Sequence, residues 1–89
     1  MIRMFVRHTV NDYAAWRKVY DEFTPTRENM GVKGHAVYQA VDNPNGITVW
    51  HDFDSLEAAQ AFRNSSELRD TMARAGVNTE PDIWFASPA

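Results

Sequence analysis

The sequence predicts an α+β fold whose elements follow the order βαββαβ. Several segments alternate apolar and polar residues, which is typical of half-buried strands. Two intervening segments instead repeat apolar residues at helical spacing, as helices that pack on a sheet do. A cluster of turn-forming residues separates the two middle strands. These observations together predict a four-stranded antiparallel sheet.

The first strand and the first helix are predicted in the amino-terminal quarter of the chain. Residues Ile2–Val10 alternate with one clearly more apolar face, so they are interpreted as a strand. Asn11 or Asp12 can then accept a hydrogen bond from the free backbone N–H groups that open a helix. Five apolar residues of that helix fall in one stripe: Tyr13, Trp16, Val19, Tyr20 and Phe23.

An interruption is expected near the end of this helix. Pro25 cannot donate a hydrogen bond to the preceding turn, so the helix should kink or restart there, with Thr24 as a candidate cap. Gly31 is expected to end the helical region.

The middle of the chain predicts an antiparallel hairpin. Two strand-like runs, Lys33–Asp42 and Ile47–Phe53, flank the residues Asp42-Asn43-Pro44-Asn45-Gly46. Because every residue of that connection favours turns, the two runs should pair with each other.

The second helix carries two start signals. Asp54 with Glu57 forms a capping-box pattern, and Asn64 with Glu67 repeats it ten residues later. A break near Asn64 is therefore expected, and Gly76 should end the helix. The residues predicted to point inward are Leu56, Ala59, Phe62, Leu68, Met72 and Ala75.

A short last strand, Asp82–Ala86, follows Pro81 and completes the pattern. This order is that of the ferredoxin-like split βαβ unit, and right-handed crossovers place both helices on one face of the sheet. The 89 residues allow one domain, residues 1–89.

The opposite face of the sheet is predicted to carry aromatic and charged residues. If Phe53 points at the helices, its alternate neighbours Trp50 and Asp52 point away. The same parity exposes several other residues on that face: Arg3, Phe5, Arg7, Tyr38 and Trp84. A monomer would leave several hundred Å² of aromatic surface in water, which is unusual for a soluble monomer. A homodimer is therefore expected.

Composition excludes several classes of function. The net charge of -3 leaves no cationic stripe for nucleic acid. There is no cysteine for disulfides or thiolate metal sites, and no phosphate-binding glycine loop or serine nucleophile elbow. Charged residues interrupt the apolar amino terminus, so neither a signal peptide nor a membrane span is predicted there. A cytoplasmic protein is expected.

The chain resembles the antibiotic-biosynthesis-monooxygenase-like branch of the dimeric α/β-barrel superfamily over nearly its whole length. The residues that carry the resemblance are Val6-Arg7-His8-x-Val10-x-Asp12-Tyr13-x-x-Trp16, Asp42-x-Pro44-Asn45, Phe53-Asp54-Ser55-Leu56-Glu57-Ala58-Ala59, Ser66-Glu67-Leu68-Arg69 and Met72-Ala73-x-Ala75-Gly76-Val77. The resemblance implies two sheets packed face to face around a cavity. The superfamily that the chain resembles includes cofactor-free monooxygenases and polyketide cyclases, so either activity is a candidate. The fold alone does not determine the function.

Four residues are candidates for catalysis in such a cavity. Asp52 beside Trp50 could act as a general base with a pKa raised by aromatic surroundings, or could pair with an arginine across the barrel. His35 is the histidine expected nearest a cavity mouth, where it could act as a base. Arg7 could stabilise an enolate or form an ion pair between subunits, and Tyr38 could donate to a ligand carbonyl or fill the interface.

Three aromatic residues, Phe5, Trp50 and Trp84, are predicted to hold a flat ligand or to pack the dimer interface. The other two histidines are interpreted structurally: His51 as a core residue, and His8 as a cap for the first helix. The spacing of the histidines does not match a metal site, so no metal and no cofactor are predicted.

The leading functional hypothesis is a cofactor-independent enzyme of the monooxygenase or cyclase type that acts on a hydrophobic aromatic or β-keto substrate. The alternative is a non-catalytic homodimeric module that binds a ligand or is purely structural. A structural role is favoured if Arg3, Arg7 and Asp52 neutralise one another and leave no void.

Overall fold

In the computed structural model, which describes residues 1–89, helices cover one face of a four-stranded antiparallel sheet. The elements are β1 (Ile2–Thr9), α1 (Tyr13–Glu22), α2 (Thr24–Asn29), β2 (Gly34–Ala40), β3 (Asn43–Phe53), α3 (Leu56–Arg63), α4 (Ser66–Arg74) and β4 (Asp82–Ala86). The strand order is β2-β3-β1-β4, which confirms the predicted ferredoxin-like fold. None of the four helices has the length and apolar character that crossing a membrane requires.

The first helical region is broken at the proline, as predicted. Asp12 caps α1 by accepting a hydrogen bond from the Ala15 N–H at 2.9 Å. Phe23, not Thr24, occupies the junction between α1 and α2, and the Thr24 hydroxyl instead donates to the Asp21 carbonyl. Gly31 follows α2 in a left-handed conformation, with φ of 93°.

The hairpin connection is shorter than the predicted five-residue turn. Ala40 pairs with Asn43, so the turn consists of Val41 and Asp42 and β3 begins earlier than expected. Asn45, one of the residues added to the start of β3, is held by two hydrogen bonds from the segment that follows β1. The Val10 N–H donates to the Asn45 carbonyl and the Tyr13 N–H to the Asn45 side chain, both at 2.9 Å.

The predicted break in the second helical region is confirmed, but both predicted caps are wrong by one residue. Ser55 caps α3 and Ser65 caps α4, each through its hydroxyl at 3.1 Å from an N–H three residues ahead. Asp54 lies outside the helix with its carboxylate 3.9 Å from the Lys33 ammonium. Asn64 is the carboxyl-terminal cap of α3.

The core lies between the helices and the inner face of the sheet, which we define as the face toward the helices. Leu56 was expected there but is 45% exposed, because it starts α3 on the solvent side. The buried hydrophobic residues form two adjoining clusters, one of Met4, Val6, Phe23, Phe53, Ala59, Phe62 and Leu68, the other of Val10, Trp16, Tyr20, Ile47, Val49 and Ala75.

Candidate functional site

A cavity of about 40 Å³ lies between the helices and the inner face of the sheet. Ten of its 14 lining residues are hydrophobic, which makes its polar members conspicuous. The four polar residues are His8 of β1, Arg27 of α2, His51 of β3 and Thr71 of α4, and one of the ten hydrophobic residues, Tyr20 of α1, carries a hydroxyl.

Two histidines in this cavity are buried and incompletely hydrogen-bonded. His8 is 6% exposed and neither ring nitrogen has a hydrogen-bond partner in the protein. His51 is 4% exposed and its Nδ1 has none. Burial lowers the pKa of His8 to about 4, and burial together with the Arg27 charge lowers the pKa of His51 to about 3. Both imidazoles are therefore neutral at neutral pH, and both line the apolar cavity with at least one ring nitrogen that has no hydrogen-bond partner.

Tyr20 of α1 connects the two histidines of the middle strands. Its hydroxyl lies 2.9 Å from His35 Nδ1 and 3.2 Å from His51 Nε2. The residues are brought together because His35 and His51 are cross-strand partners on the inner face and α1 crosses above them. Burial raises the pKa of the Tyr20 phenol to about 12, so the hydroxyl keeps its proton.

Arg27 of α2 is a buried cation at the same site. It is 2% exposed and stacks on Tyr20, with the guanidinium carbon 3.9 Å from the ring centroid. One guanidinium nitrogen donates to the Tyr20 carbonyl and the other to the Thr24 hydroxyl at 2.8 Å. Burial lowers the Arg27 pKa, although an arginine remains charged at neutral pH.

His35, a predicted catalytic residue, lies at the edge of this cluster. Its side chain is exposed and lines a shallow crevice with Arg27, Glu28 and Lys33 on the solvent side of the cluster. Partial burial, with a smaller contribution from the Arg27 charge, lowers its pKa. It therefore contacts both solvent and Tyr20.

Asp52 lies on the predicted face of the sheet, but its pKa differs from the prediction. It lies on the outer face, away from the helices, but Arg3 binds both of its carboxylate oxygens, at 2.7 and 3.0 Å. The Arg3 hydrogen bonds hold the pKa of Asp52 below its usual range, so the expected raised pKa is wrong. The pairing arises because Arg3 and Asp52 are cross-strand partners of β1 and β3.

The remaining predicted site residues also lie on the outer face, as the parity of the strands indicated. Phe5 stacks on Trp84 with ring centroids 5.2 Å apart, and Arg3 lies 3.5 Å from the ring centroid of Trp50. Arg7 is 3.7 Å from Asp82, and both side chains are largely exposed. Tyr38 is 56% exposed. Arg3 and Arg7 are therefore each beside an acidic partner on their own chain.

Part of the inner cluster was not predicted from the sequence. His8 was expected to cap α1, but Asp12 does so and His8 lies in the cavity. Arg27 was not singled out, because the helix break expected at Pro25 separates it from Tyr20 and its position beside Tyr20 depends on how α1 and α2 join. No group of three or more histidine, cysteine or acidic side chains is arranged to hold a metal ion.

Both a family model and solved structures of other proteins match this chain. The family model described as antibiotic biosynthesis monooxygenase matches residues 3–74. A Bordetella bronchiseptica protein named as a candidate antibiotic biosynthesis monooxygenase is 15% identical, with a TM-score of 0.85 over 99% of this chain and 96% of that one.

Two further solved structures share the fold. Rv0793 from Mycobacterium tuberculosis is 19% identical, with a TM-score of 0.73 over 99% of this chain and 94% of that one. SnoaB from Streptomyces nogalater, described as a cofactor-independent oxygenase, is 14% identical, with a TM-score of 0.76 over 99% and 94% of the two chains. No curated protein sequence matches the chain.

Proposed function

Because the chain belongs to the antibiotic biosynthesis monooxygenase family, we propose that it is a cofactor-independent oxygenase of small electron-rich phenols, with dioxygen as co-substrate. The observation that carries the proposal is His51, a buried, neutral histidine that lines an apolar cavity and whose Nδ1 has no hydrogen-bond partner. The description of SnoaB as a cofactor-independent oxygenase supports the same chemistry.

The reaction balances without a redox cofactor. His51 Nδ1 takes the phenolic proton, and an electron passes from the phenolate to dioxygen. The two radicals join through a C–O bond at a ring carbon, and the peroxide anion recovers the proton from His51. Loss of that carbon's C–H proton to the base breaks the O–O bond and leaves a carbonyl. The hydroxide that departs takes up this proton, so one phenol and one dioxygen give one quinone and one water.

Arg27 and Trp16 supply the other contributions. The Arg27 cation lies beside the cavity, where a low dielectric strengthens its attraction for a phenolate. Trp16 stacks on Tyr20 with ring centroids 4.9 Å apart and forms an aromatic wall of the cavity. An aromatic substrate can pack against that wall.

The cavity has to enlarge before it can hold a ring. An apolar cavity that binds benzene measures about 150 Å³, whereas this one measures about 40 Å³. Leu68 and Met72 of α4 line it, and the unbranched Met72 side chain is only partly buried. We propose that rotation of Met72 toward solvent enlarges the cavity.

The outer face fits an interface between two copies of the chain. Proteins of this family are commonly dimeric, and Trp84 and Tyr38 are large exposed aromatic residues on this face. In this role Phe5, Trp50 and Trp84 pack against the partner subunit. The Arg3–Asp52 pair then remains a satisfied ion pair within each copy.

Oxygen incorporation tests the proposed reaction. Purified protein is incubated with hydroxynaphthalenes under ¹⁸O₂, while quinone absorbance and oxygen uptake are recorded. We expect one labelled oxygen in the quinone and one oxygen molecule consumed per product. Turnover of a β-keto substrate without oxygen uptake would instead establish a cyclase, and tight binding without turnover would establish a binding module.

Two variants locate the base. His51→Gln should lower kcat at least a hundredfold, because general-base catalysis contributes about 10²–10⁴. Asp52→Asn should retain activity, because the proposed reaction takes place on the other side of the sheet. The opposite result would return the catalytic site to the outer face, where the sequence-based prediction placed it. His8→Gln controls for the loss of a buried imidazole from the same cavity.

A further inference from the structure

The inner cavity is connected to solvent by a continuous path of three side chains. His51 lies in the cavity, the Tyr20 hydroxyl is 3.2 Å from its Nε2, and His35 Nδ1 is 2.9 Å from the same hydroxyl. His51 and Tyr20 are buried, whereas His35 is exposed. One tyrosine hydroxyl therefore links a buried imidazole to an exposed one.

The single proton of the Tyr20 hydroxyl makes the states of the two histidines interdependent. If Tyr20 donates to His35 Nδ1, it has to accept from His51 Nε2–H, which leaves His51 Nδ1 unprotonated and without a hydrogen-bond partner. If Tyr20 instead donates to His51 Nε2, it accepts from His35 Nδ1–H, and the His51 proton sits on Nδ1. The tautomer of one neutral histidine therefore determines the tautomer of the other.

We propose that Tyr20 is a proton relay that passes protons between the buried His51 and the exposed His35. When His51 Nδ1 takes a proton from the cavity, its Nε2–H proton moves to the Tyr20 oxygen, and the Tyr20 proton moves to His35 Nδ1. His51 and Tyr20 end neutral, and the positive charge appears on His35. Release of the His35 Nε2 proton to water completes the transfer, and the reverse sequence returns a proton to the cavity.

The charges around the cluster explain why a relay is needed. His51 is next to the buried Arg27 cation, so an imidazolium there would be both desolvated and repelled. His35 is within the influence of Arg27 and Arg17 as well, but Asp21 opposes them and solvent reaches the ring. The other charged groups near the two histidines are Asp52, Glu28 and Lys33. Moving the charge to His35 therefore removes the main obstacle to His51 acting as a base.

The use of the transferred proton rests on the proposed oxygenase function, but the relay itself can be tested without any substrate. The protein is labelled with ¹⁵N-histidine, and the ring nitrogen shifts of all three histidines are followed by NMR between about pH 8 and pH 5. Protonated His35 has to donate to Tyr20, which then has to donate to His51 Nε2. We therefore expect the His51 tautomer to switch from Nε2–H to Nδ1–H with the same midpoint as the His35 titration.

Tyr20→Phe and His8 provide the controls. Tyr20→Phe keeps the ring between Trp16 and Arg27 but removes the hydroxyl, so His35 should still titrate while His51 no longer switches. His8 has no hydrogen bond to Tyr20 and should show no tautomer change at that midpoint. A wild-type His51 tautomer that stays constant while His35 titrates would overturn the proposal, even if Tyr20→Phe fails to fold. A switch that persists in a folded Tyr20→Phe variant would overturn it as well.

Discussion

The inner and outer faces of the sheet treat ionisable side chains in opposite ways, and two adjacent residues of β3 show this most directly. His51 points inward, and burial lowers its pKa by penalising the charged form. Asp52 points outward, and its pKa is lowered because Arg3 stabilises the charged form. The same direction of shift therefore leaves His51 neutral and Asp52 ionised.

The difference indicates which face suits acid–base chemistry. The Asp52 carboxylate is a weaker base than a free carboxylate, because Arg3 donates a hydrogen bond to each of its oxygens. A neutral imidazole with an unpartnered nitrogen is free to take a proton, provided that the resulting charge can leave. Satisfied ion pairs on the outer face instead suit an interface.

Truncation of a core aromatic is expected to have the largest effect. Phe62 is fully buried against Phe23, His51 and Phe53, so Phe62→Ala should lower the free energy of unfolding by about 3–5 kcal/mol. Urea denaturation should give this loss at any protein concentration. If the outer face is the proposed dimer interface, Phe5→Ala should instead have a cost that depends on concentration, because association then contributes to stability. A concentration-independent cost at Phe5 would contradict the proposed interface.

Mild acid should destabilise the inner face before the outer one. His8 and His51 titrate near 6.5 when unfolded but at about 4 and about 3 when folded, so the unfolded chain binds more protons below pH 6.5. Their contribution is complete above that pH and is lost as pH falls, at up to about 1.4 kcal/mol per pH unit for each histidine. Asp52, whose folded pKa is also lowered, loses its contribution only below its unfolded pKa of about 3.9.

Urea denaturation at about pH 7 and pH 5 measures this difference. We expect a combined loss of about 3–4 kcal/mol over that interval, and a loss roughly half as large in His8→Leu. Equal stability at the two pH values would show that neither histidine is held neutral by burial.

Sequence periodicity predicted the architecture well, because strand and helix periods are local properties. The alternation around Phe53 assigned Trp50 and Asp52 to one face and His51 to the other, and the structure confirms this. The start of β3 could not be predicted, since Asn43–Gly46 are turn-forming residues whose strand conformation depends on distant partners: Gly46 pairs with Thr9 of β1, and Asn45 accepts hydrogen bonds from Val10 and Tyr13.

The inner cluster was less predictable because it depends on register. Tyr20, His35 and His51 come from three elements, and their distances depend on which residues of β2 and β3 pair. The same limitation applies to Arg3 and Asp52, which are 49 residues apart in the chain. Alternation assigns a residue to a face but does not identify its cross-strand partner.

Dimerisation can be tested separately from folding. Trp84 is 42% exposed and stacks on Phe5, so Trp84→Ala should remove an aromatic anchor of the proposed interface. A loss of about 2 kcal/mol, typical of such an anchor, raises the dimer Kd roughly thirtyfold. Sedimentation velocity over a range of concentrations measures the Kd. Leu56→Ala, which removes a similarly exposed side chain from α3, is the matched control and should leave the Kd unchanged.

The smallest expected effect distinguishes two neighbouring residues at the break between α3 and α4. Ser65 accepts the Leu68 N–H at 3.1 Å, so Ser65→Ala should cost about 1 kcal/mol. Asn64 makes no such cap, and its side chain bonds only to the exposed Arg63 at 3.3 Å, so Asn64→Ala should change stability by less than about 0.5 kcal/mol. Denaturation of both variants under identical conditions gives the comparison. A larger loss of stability in Asn64→Ala than in Ser65→Ala would show that Asn64 caps α4, as the sequence predicts.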